Sequence, residues 1–343
     1  MVGGIASFPS MRVPRRTAAV VLATTLLAPA ACGDDDGVLT IYSGRQLDLI
    51  GPILERFADE RGVDIEVRDG TTAELALLIE EEGDRSPADV FISQSPGAVA
   101  YLEGHGRFRE LPDSVLDAVA DDDRATDGRW VGLTGRVRTL VYNPDLIGEA
   151  DLPDSVLDLT DSRYDGLIAV APGNASFQDF VTALRSEVGD DDASEFLDGL
   201  AANDAVTFPN NVAILDAVNR GEVAMGLINH YYWFENAVDD PDQAAQLHFF
   251  AEGDLGSMLL VTAASVLDTA DDPELATDLV AFLLGEEAQT YFAEETLEYP
   301  LAAGVEPVEG LFPLDDIVSV RPALETLDSL DETIALIRAS GLD

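Results

Sequence analysis

The chain has 343 residues, 47% of them hydrophobic, with 66 Asp and Glu against 19 Lys and Arg and a formal net charge of −47. No lysine is present, so all basic charge is arginine. A surface of this sign excludes nucleic acid and anionic lipid as partners, since both demand basic faces. The apolar fraction is that of a globular protein.

The first segment in chain order is a leader. Arg12, Arg15 and Arg16 precede the apolar run "TAAVVLATTLLAPAAC", which stops at small residues and the single cysteine, Cys32. This is the layout of a secretory signal peptide, too short and too interrupted by proline for a membrane span. A cysteine directly after "APAA" resembles the lipobox of bacterial lipoproteins, with Pro29 standing where leucine is usual, and implies a lipid anchor on Cys32. The alternative is an ordinary signal peptide cut near Ala31. Either way the mature chain works outside the cytoplasmic membrane, with no cysteine pair for a disulfide or thiolate metal site. An acidic linker fills 33–37.

About 310 residues remain (343 less 32), enough for two domains. "LTIYSG" (39–44) reads as a strand and 47–62 as a helix with Leu47, Ile50, Ile53, Leu54 and Phe57 on one side, closing on Gly62. A strand at 63–70, a helix from Thr72 to Gly83 with Glu74 in its first turn, a strand at 88–95 and a helix at 96–106 follow. This order predicts a parallel sheet flanked by helices, with ligands beyond its carboxyl ends at 43–46, 69–72 and 93–96. A second sheet starts near 130. Residues 130–147 read as a long strand, 166–176 as a strand ending in Pro-Gly, 177–189 as a helix, and 223–233 as a buried strand running into the aromatic row "HYYWF". A return strand at 256–270 and helices over 273–296 complete the pattern. The acidic runs at 121–124, 189–195 and 238–243 read as solvated turns and caps.

The segments "LTIYSGRQLDLIGPILERFADERGVDIEVRDG", "LLIEEEGDRSPADVFISQSPGA", "WVGLTGRVRTLVYNPDLI", "PGNASFQDFVTAL" and "GLINHYYWFE" together resemble the ferric-iron-binding proteins of bacterial ABC importers. The likeness covers nearly all of 38–310. It implies an α/β, two-lobed type II periplasmic binding protein fold, similar to a transferrin lobe. Each lobe would be a mostly parallel sheet flanked by helices, with the ligand cleft between lobes. The lobes are expected at 38–137 plus 262–312 and at 138–261 plus 313–343, with a hinge near Thr134 to Arg138 and Leu260 to Ala263.

The resemblance makes Tyr231 and Tyr232 the metal ligands, which suits Fe(III), a hard ion that prefers anionic oxygen. Adjacent strand residues point to opposite faces, so both rings reach one ion only if the chain leaves strand geometry, and a loop is expected there. The resemblance also places Gln46 where many relatives carry histidine and Gln94 where they carry glutamate, while Gly135 lies close to a third tyrosine of other relatives. Two phenolates plus an exogenous carbonate or phosphate are then expected to hold the iron. Gly173, Asn174, Ala175 and Ser176 match the family's anion loop, with Ser176 also a candidate N-cap. Asn211 and Asn229 resemble its amide contacts, and Arg136 or Arg45 could add charge. His230, Trp233, Phe234 and Tyr42 are expected in packing. The implied partners are an ABC permease and its cytoplasmic ATPase, served by a monomer tethered only through Cys32.

Two other classes compete with this reading. A binding protein of the same fold for phosphate, another oxyanion or a small organic solute such as a polyamine or thiamine would not need the tyrosines. An enzyme lacks support, since GxSxG, HExxH, Walker A and His/Cys pairs are all missing from the sequence.

Overall fold

The computed structural model describes residues 38–94, 96–308, 311, 314 and 330–342. The leader and Cys32 therefore lie outside the described residues.

A first sheet is built from β1 (Leu39–Ser43), β2 (Ile65–Asp69) and β3 (Val90–Ser93), joined by α1 (Leu47–Arg61) and α2 (Thr72–Glu82). β1 pairs in parallel with both neighbours, Ile41 facing Val67 and Val90. α1 stops where Gly62 takes a left-handed φ of 66° and returns its N–H to Ala58. α2 starts at Thr72, as expected, and is capped by Thr71, because Thr71 and Glu74 close a reciprocal capping box. That frees Thr72 Oγ1 to accept from Gln94 N at 3.2 Å. α3 (Pro96–Gly104) and the short α4 (Asp113–Leu116) follow.

β4 (Val131–Tyr142) is buried along its whole length and belongs to two sheets. Val131 to Val137 pair antiparallel with β9 (Leu259–Val266), which itself joins β3. Arg138 to Tyr142 pair antiparallel with β7 (Met225–Asn229). β7 lies parallel to β5 (Ile168–Val170), and β5 parallel to β6 (Val206–Thr207). The outer pairs are thus parallel, as expected of βαβ units, and the strands joining the two sheets are antiparallel. β8 (Gln246–His248) and β10 (Tyr299–Pro300) add to opposite halves of β4.

Both faces of each sheet are covered, which is why the strands read as continuous apolar runs. In the first sheet Leu39, Ile41, Val90 and Ile92 pack on one side while Tyr42 and Phe91 pack on the other. In the second, Leu140, Ile168, Val170 and Leu227 oppose Val141, Ala169 and Ile228. The helices doing this are α5 (Ala175–Val188), α6 (Asp190–Ala202), α7 (Asn211–Asn219) and α8 (His230–Asp239) on the second sheet's side, and α9 (Pro273–Leu283) and α10 (Glu286–Glu294) on the first's. α11 (Leu330–Ser340) docks on α5 through Arg185, whose guanidinium meets Glu332 at 2.7 Å and Thr333 at 2.9 Å.

The run at 189–195 is not a turn: Asp190, Asp191 and Asp192 form the first turn of α6, where carboxylates suit the positive end of the helix dipole. The result is an α/β assembly, a curled mixed sheet covered by helices on both faces.

Candidate functional site

β7 does not end in a loop. Asn229 is the N-cap of α8, and His230, Tyr231 and Tyr232 form its first turn. Successive helical side chains diverge by about a third of a turn rather than half, so the two tyrosine rings sit side by side, with centroids 4.1 Å apart. Tyr231 is buried at 5% exposure and Tyr232 is half-buried. Burial drives the Tyr231 phenol well above its usual range and Tyr232 pushes the same way, while Arg136 and Arg45 pull it back.

Behind this pair lies a buried polar knot. Arg138 Nη1 donates to Ser176 Oγ at 3.0 Å and to Asn229 Oδ1 at 3.1 Å. Asn211 Nδ2 reaches the same Ser176 Oγ at 3.3 Å. Asn229 is spent on this contact and does not cap α8 with its side chain. Arg138 Nη2 and Asn211 Oδ1 remain buried without a hydrogen bond. Desolvation pushes the Arg138 guanidinium down to about 10, partly offset by Tyr232, Asp179 and Tyr231.

Ser176 is not the cap of α5. That helix starts at Ala175, and Asn174 Oδ1 caps it by accepting from Ser176 N at 3.0 Å and Ser176 Oγ at 2.6 Å. Around Gly173 the space that a Cβ would fill is open.

A second buried polar group gathers on Glu298. Its Oε1 lies 3.0 Å from Arg45 Nη1 and 3.5 Å from Arg136 Nε, and its Oε2 accepts from Thr134 Oγ1 at 2.7 Å. Both ion pairs fall outside hydrogen-bond geometry. Arg136 also donates to the Gln94 carbonyl. Arg136 and Arg45 therefore gather on Glu298, not on Ser176. Arg136 and Arg138 lie two residues apart on one strand, but β4 changes sheets between them and they meet different partners. Glu235, one helical turn after Tyr231, is raised to about 7 by burial, with Arg45 opposing and Glu298 and Asp48 reinforcing the shift.

Gln46 is exposed at the N-cap of α1 and Gln94 half-buried after β3. These loops are held close: Gly44 N donates to Ile92 O, and a Cβ on Gly44 would sit 1.9 Å from Thr72 Oγ1. Gly135 leaves no room for a larger side chain, since its Cβ would meet Leu259 Cδ1 at 2.7 Å. Among the described residues no group of three His, Cys, Asp or Glu could hold a metal. His230 is fully buried, its Nδ1 accepting from Val137 N and its Nε2 donating to Leu297 O, both at 3.1 Å. Burial lowers it to about 4, so it stays neutral with both nitrogens occupied. Trp233 Nε1 donates to Ala245 O, Tyr42 OH to Glu82, and Phe234 packs on the first core, as expected of structural aromatics.

Arg138, Glu298 and Glu235 were not singled out from sequence. Arg138 had a signal, a second arginine in "GRVR" inside an otherwise apolar buried strand. Glu298 had none, because its partners Thr134, Arg136 and Arg45 are far away along the chain and meet it only through the fold.

The sequence profile of bacterial extracellular solute-binding proteins matches residues 85–310. The "Fe(3+)-binding periplasmic protein" of Serratia marcescens is 28% identical over 315 residues, covering 91% of this chain and 92% of the relative. The "Major ferric iron-binding protein" of Neisseria meningitidis serogroup A is 29% identical over 336 residues, covering 97% and 100%. Among solved structures, iron-bound HitA from Pseudomonas aeruginosa superposes with a TM-score of 0.83 at 33% identity, covering 89% of this chain and 99% of that one.

Proposed function

The chain belongs to the bacterial extracellular solute-binding protein family, and from that premise we propose that it captures Fe(III) in its interlobe cleft for an ABC importer. The observation that carries this reading is the Tyr231–Tyr232 pair, two phenols 4.1 Å apart facing buried arginines. The names of the Serratia, Neisseria and Pseudomonas relatives point to the same cargo.

Tyr231 and Tyr232 bind the ion as phenolates, the metal displacing protons that burial otherwise retains. Two phenolates leave one positive charge on Fe(III), and Gln46 and Gln94 bring no anion. Arg45 and Arg136 share the single Glu298 carboxylate, and Arg138 adds a third positive charge. The remaining ligand is therefore an exogenous anion, carbonate or phosphate. It takes the free Arg138 Nη2–H and the second N–H of Asn211 Nδ2, beside Ser176, Asn229 and the Gly173–Asn174–Ala175 turn. Arg136 and Arg45 act on it through their field.

The lobes divide at Val137/Arg138 and close by a hinge there. The protein is exported, anchored through lipidated Cys32, and presents its cargo as a monomer to a permease driven by a cytoplasmic ATPase.

A second reading draws on the Arg138, Ser176, Asn211 and Asn229 knot alone, which suits an oxyanion without metal. Titration of the metal-free protein with a ferric chelate separates the two. The ferric reading expects a saturable visible phenolate-to-iron band that Tyr231→Phe/Tyr232→Phe lacks. A folded wild-type protein with no band, but with saturable phosphate binding, establishes the oxyanion reading instead.

A further inference from the structure

His230 joins three parts of the molecule through one ring. It opens α8, directly before Tyr231. Its Nδ1 accepts from the Val137 N–H and its Nε2–H donates to the Leu297 carbonyl, each at 3.1 Å. Val137 is the last residue of β4 that pairs with β9, and the next residue already pairs with β7. The ring therefore grips the crossing strand at the point where it changes sheets.

Leu297 is equally distinctive. Its φ of 56° makes it one of two non-glycine residues with positive φ among those described. A leucine held there is strained and persists only where its surroundings fix it. Its surroundings do so: His230 holds its carbonyl, Glu298 next to it is buried against Arg45, Arg136 and Thr134, and Tyr299 pairs with Gly135 while its ring lies 4.9 Å from the imidazole.

We propose that His230 is a positioning residue that couples the Tyr231–Tyr232 pair to closure of the lobes. A ligand that fixes the first turn of α8 fixes the imidazole one residue earlier. Both of its hydrogen bonds form only when α8, the crossing strand and the 297–299 segment are in register. Without the ring, the tyrosines hold their ligand while the two sheets move independently. This inference rests on the ferric reading above and assigns no ligand role to His230, whose two nitrogens are already occupied.

The test compares wild type with His230→Phe, which keeps a ring but neither hydrogen bond, and His230→Gln, which keeps a donor and an acceptor. Three quantities are read after ferric loading: the phenolate-to-iron band, the compaction seen by small-angle scattering, and the rate of iron loss to excess chelator. The Phe variant is expected to keep the band, lose the compaction and release iron at least ~10-fold faster, with the Gln variant restoring most of both. A Phe variant that compacts and retains iron like wild type overturns the proposal, as does a Gln variant no better than Phe. A band lost or shifted with compaction intact also overturns it, by placing the effect on the ligands. Wild type with no band sinks the ferric reading itself and this inference with it. Should the Phe variant not fold, amide exchange in wild type decides: the Val137 N–H is expected to exchange at least ~10-fold more slowly once iron is bound, and unchanged exchange overturns the coupling.

Discussion

Arg138 donates one N–H direction to Ser176 and Asn229 and holds its other terminal nitrogen, fully buried, free of any hydrogen bond. A buried donor without a partner is costly, and a guanidinium aimed at a helix N-terminus is a fitted seat for an oxyanion. Replacing it with Arg138→Gln keeps an amide for Ser176 and Asn229 but removes the charge. Hydrogen bonds to charged groups contribute about 1.5–3 kcal/mol, so the anion dependence of ferric retention should weaken by about 10- to 100-fold. Iron transfer to a competing chelator across a phosphate titration measures this, and an unaltered phosphate dependence would remove Arg138 from the anion contact.

How the fold could be read so far in advance is clear from particular segments. α1 carries its apolar stripe, its Gly62 stop and its acidic exterior in plain view, and β1, β3 and β7 are buried on both faces and so read as unbroken apolar runs. Local signals lost where a long-range contact decided the outcome. Ser176 looked like a cap, but Arg138 and Asn211 compete for its hydroxyl and Asn174 takes the capping role. "NHYYW" looked like a loop because nothing local distinguishes a strand exit from a helix start with an Asn cap. The Glu298 network was invisible, since it joins residues from three distant stretches that meet only after the sheets form.

Glu298 pairs with two buried arginines at once, with side-chain exposures of 1% for Glu298, 2% for Arg45 and 6% for Arg136. Removing one member of a buried ionic group leaves uncompensated charge and typically costs about 3–5 kcal/mol. Glu298→Gln should lose stability of that order in denaturant melts. Adding Arg45→Met, which deletes one of the stranded charges at similar length, should recover part of it. If Glu298→Gln unfolds at the wild-type midpoint, the pairing carries no net stability.

Glu235 sets a pH dependence. Its folded value is raised from 4.5 to about 7 by burial, so between these values the folded protein holds a proton that the unfolded chain has released. Stability then falls as pH rises through this window and levels off above about 7, because the unfolded state binds fewer protons. Thermal melts at pH 5 and pH 8 should show wild type losing more stability than Glu235→Gln, whose neutral amide has nothing to ionise. Equal losses in both proteins would assign the slope to other groups.

The loops at the head of the first sheet are packed without slack. A Cβ at Gly44 would lie 1.9 Å from Thr72 Oγ1, the atom that receives the Gln94 N–H. Gly44→Ala should therefore cost about 1–3 kcal/mol, the usual range for overpacking. Gly44→Ala/Thr72→Ala should cost less than the sum of its parts, since the second change makes room for the first. Strict additivity in chemical melts would show that the two residues do not press on each other.

Gln46 and Gln94 sit on these same loops, after β1 and β3, and bring neutral amides where a hard trivalent cation prefers anionic oxygen or imidazole. If the cargo is Fe(III) held by two phenolates and an exogenous anion, the protein is short of ligands of its own and depends on that anion. Gln94→Glu supplies a carboxylate and Gln46→His an imidazole without altering the Tyr231–Tyr232 pair. The double variant should release iron to a chelator at least ~10-fold more slowly, equivalent to about 1.4 kcal/mol, and should lose most of its need for carbonate or phosphate. Release kinetics in anion-free buffer decide between the outcomes: slower release with the band retained places both loops at the metal, whereas unchanged kinetics place Gln46 and Gln94 outside its reach and leave the second lobe to bind alone.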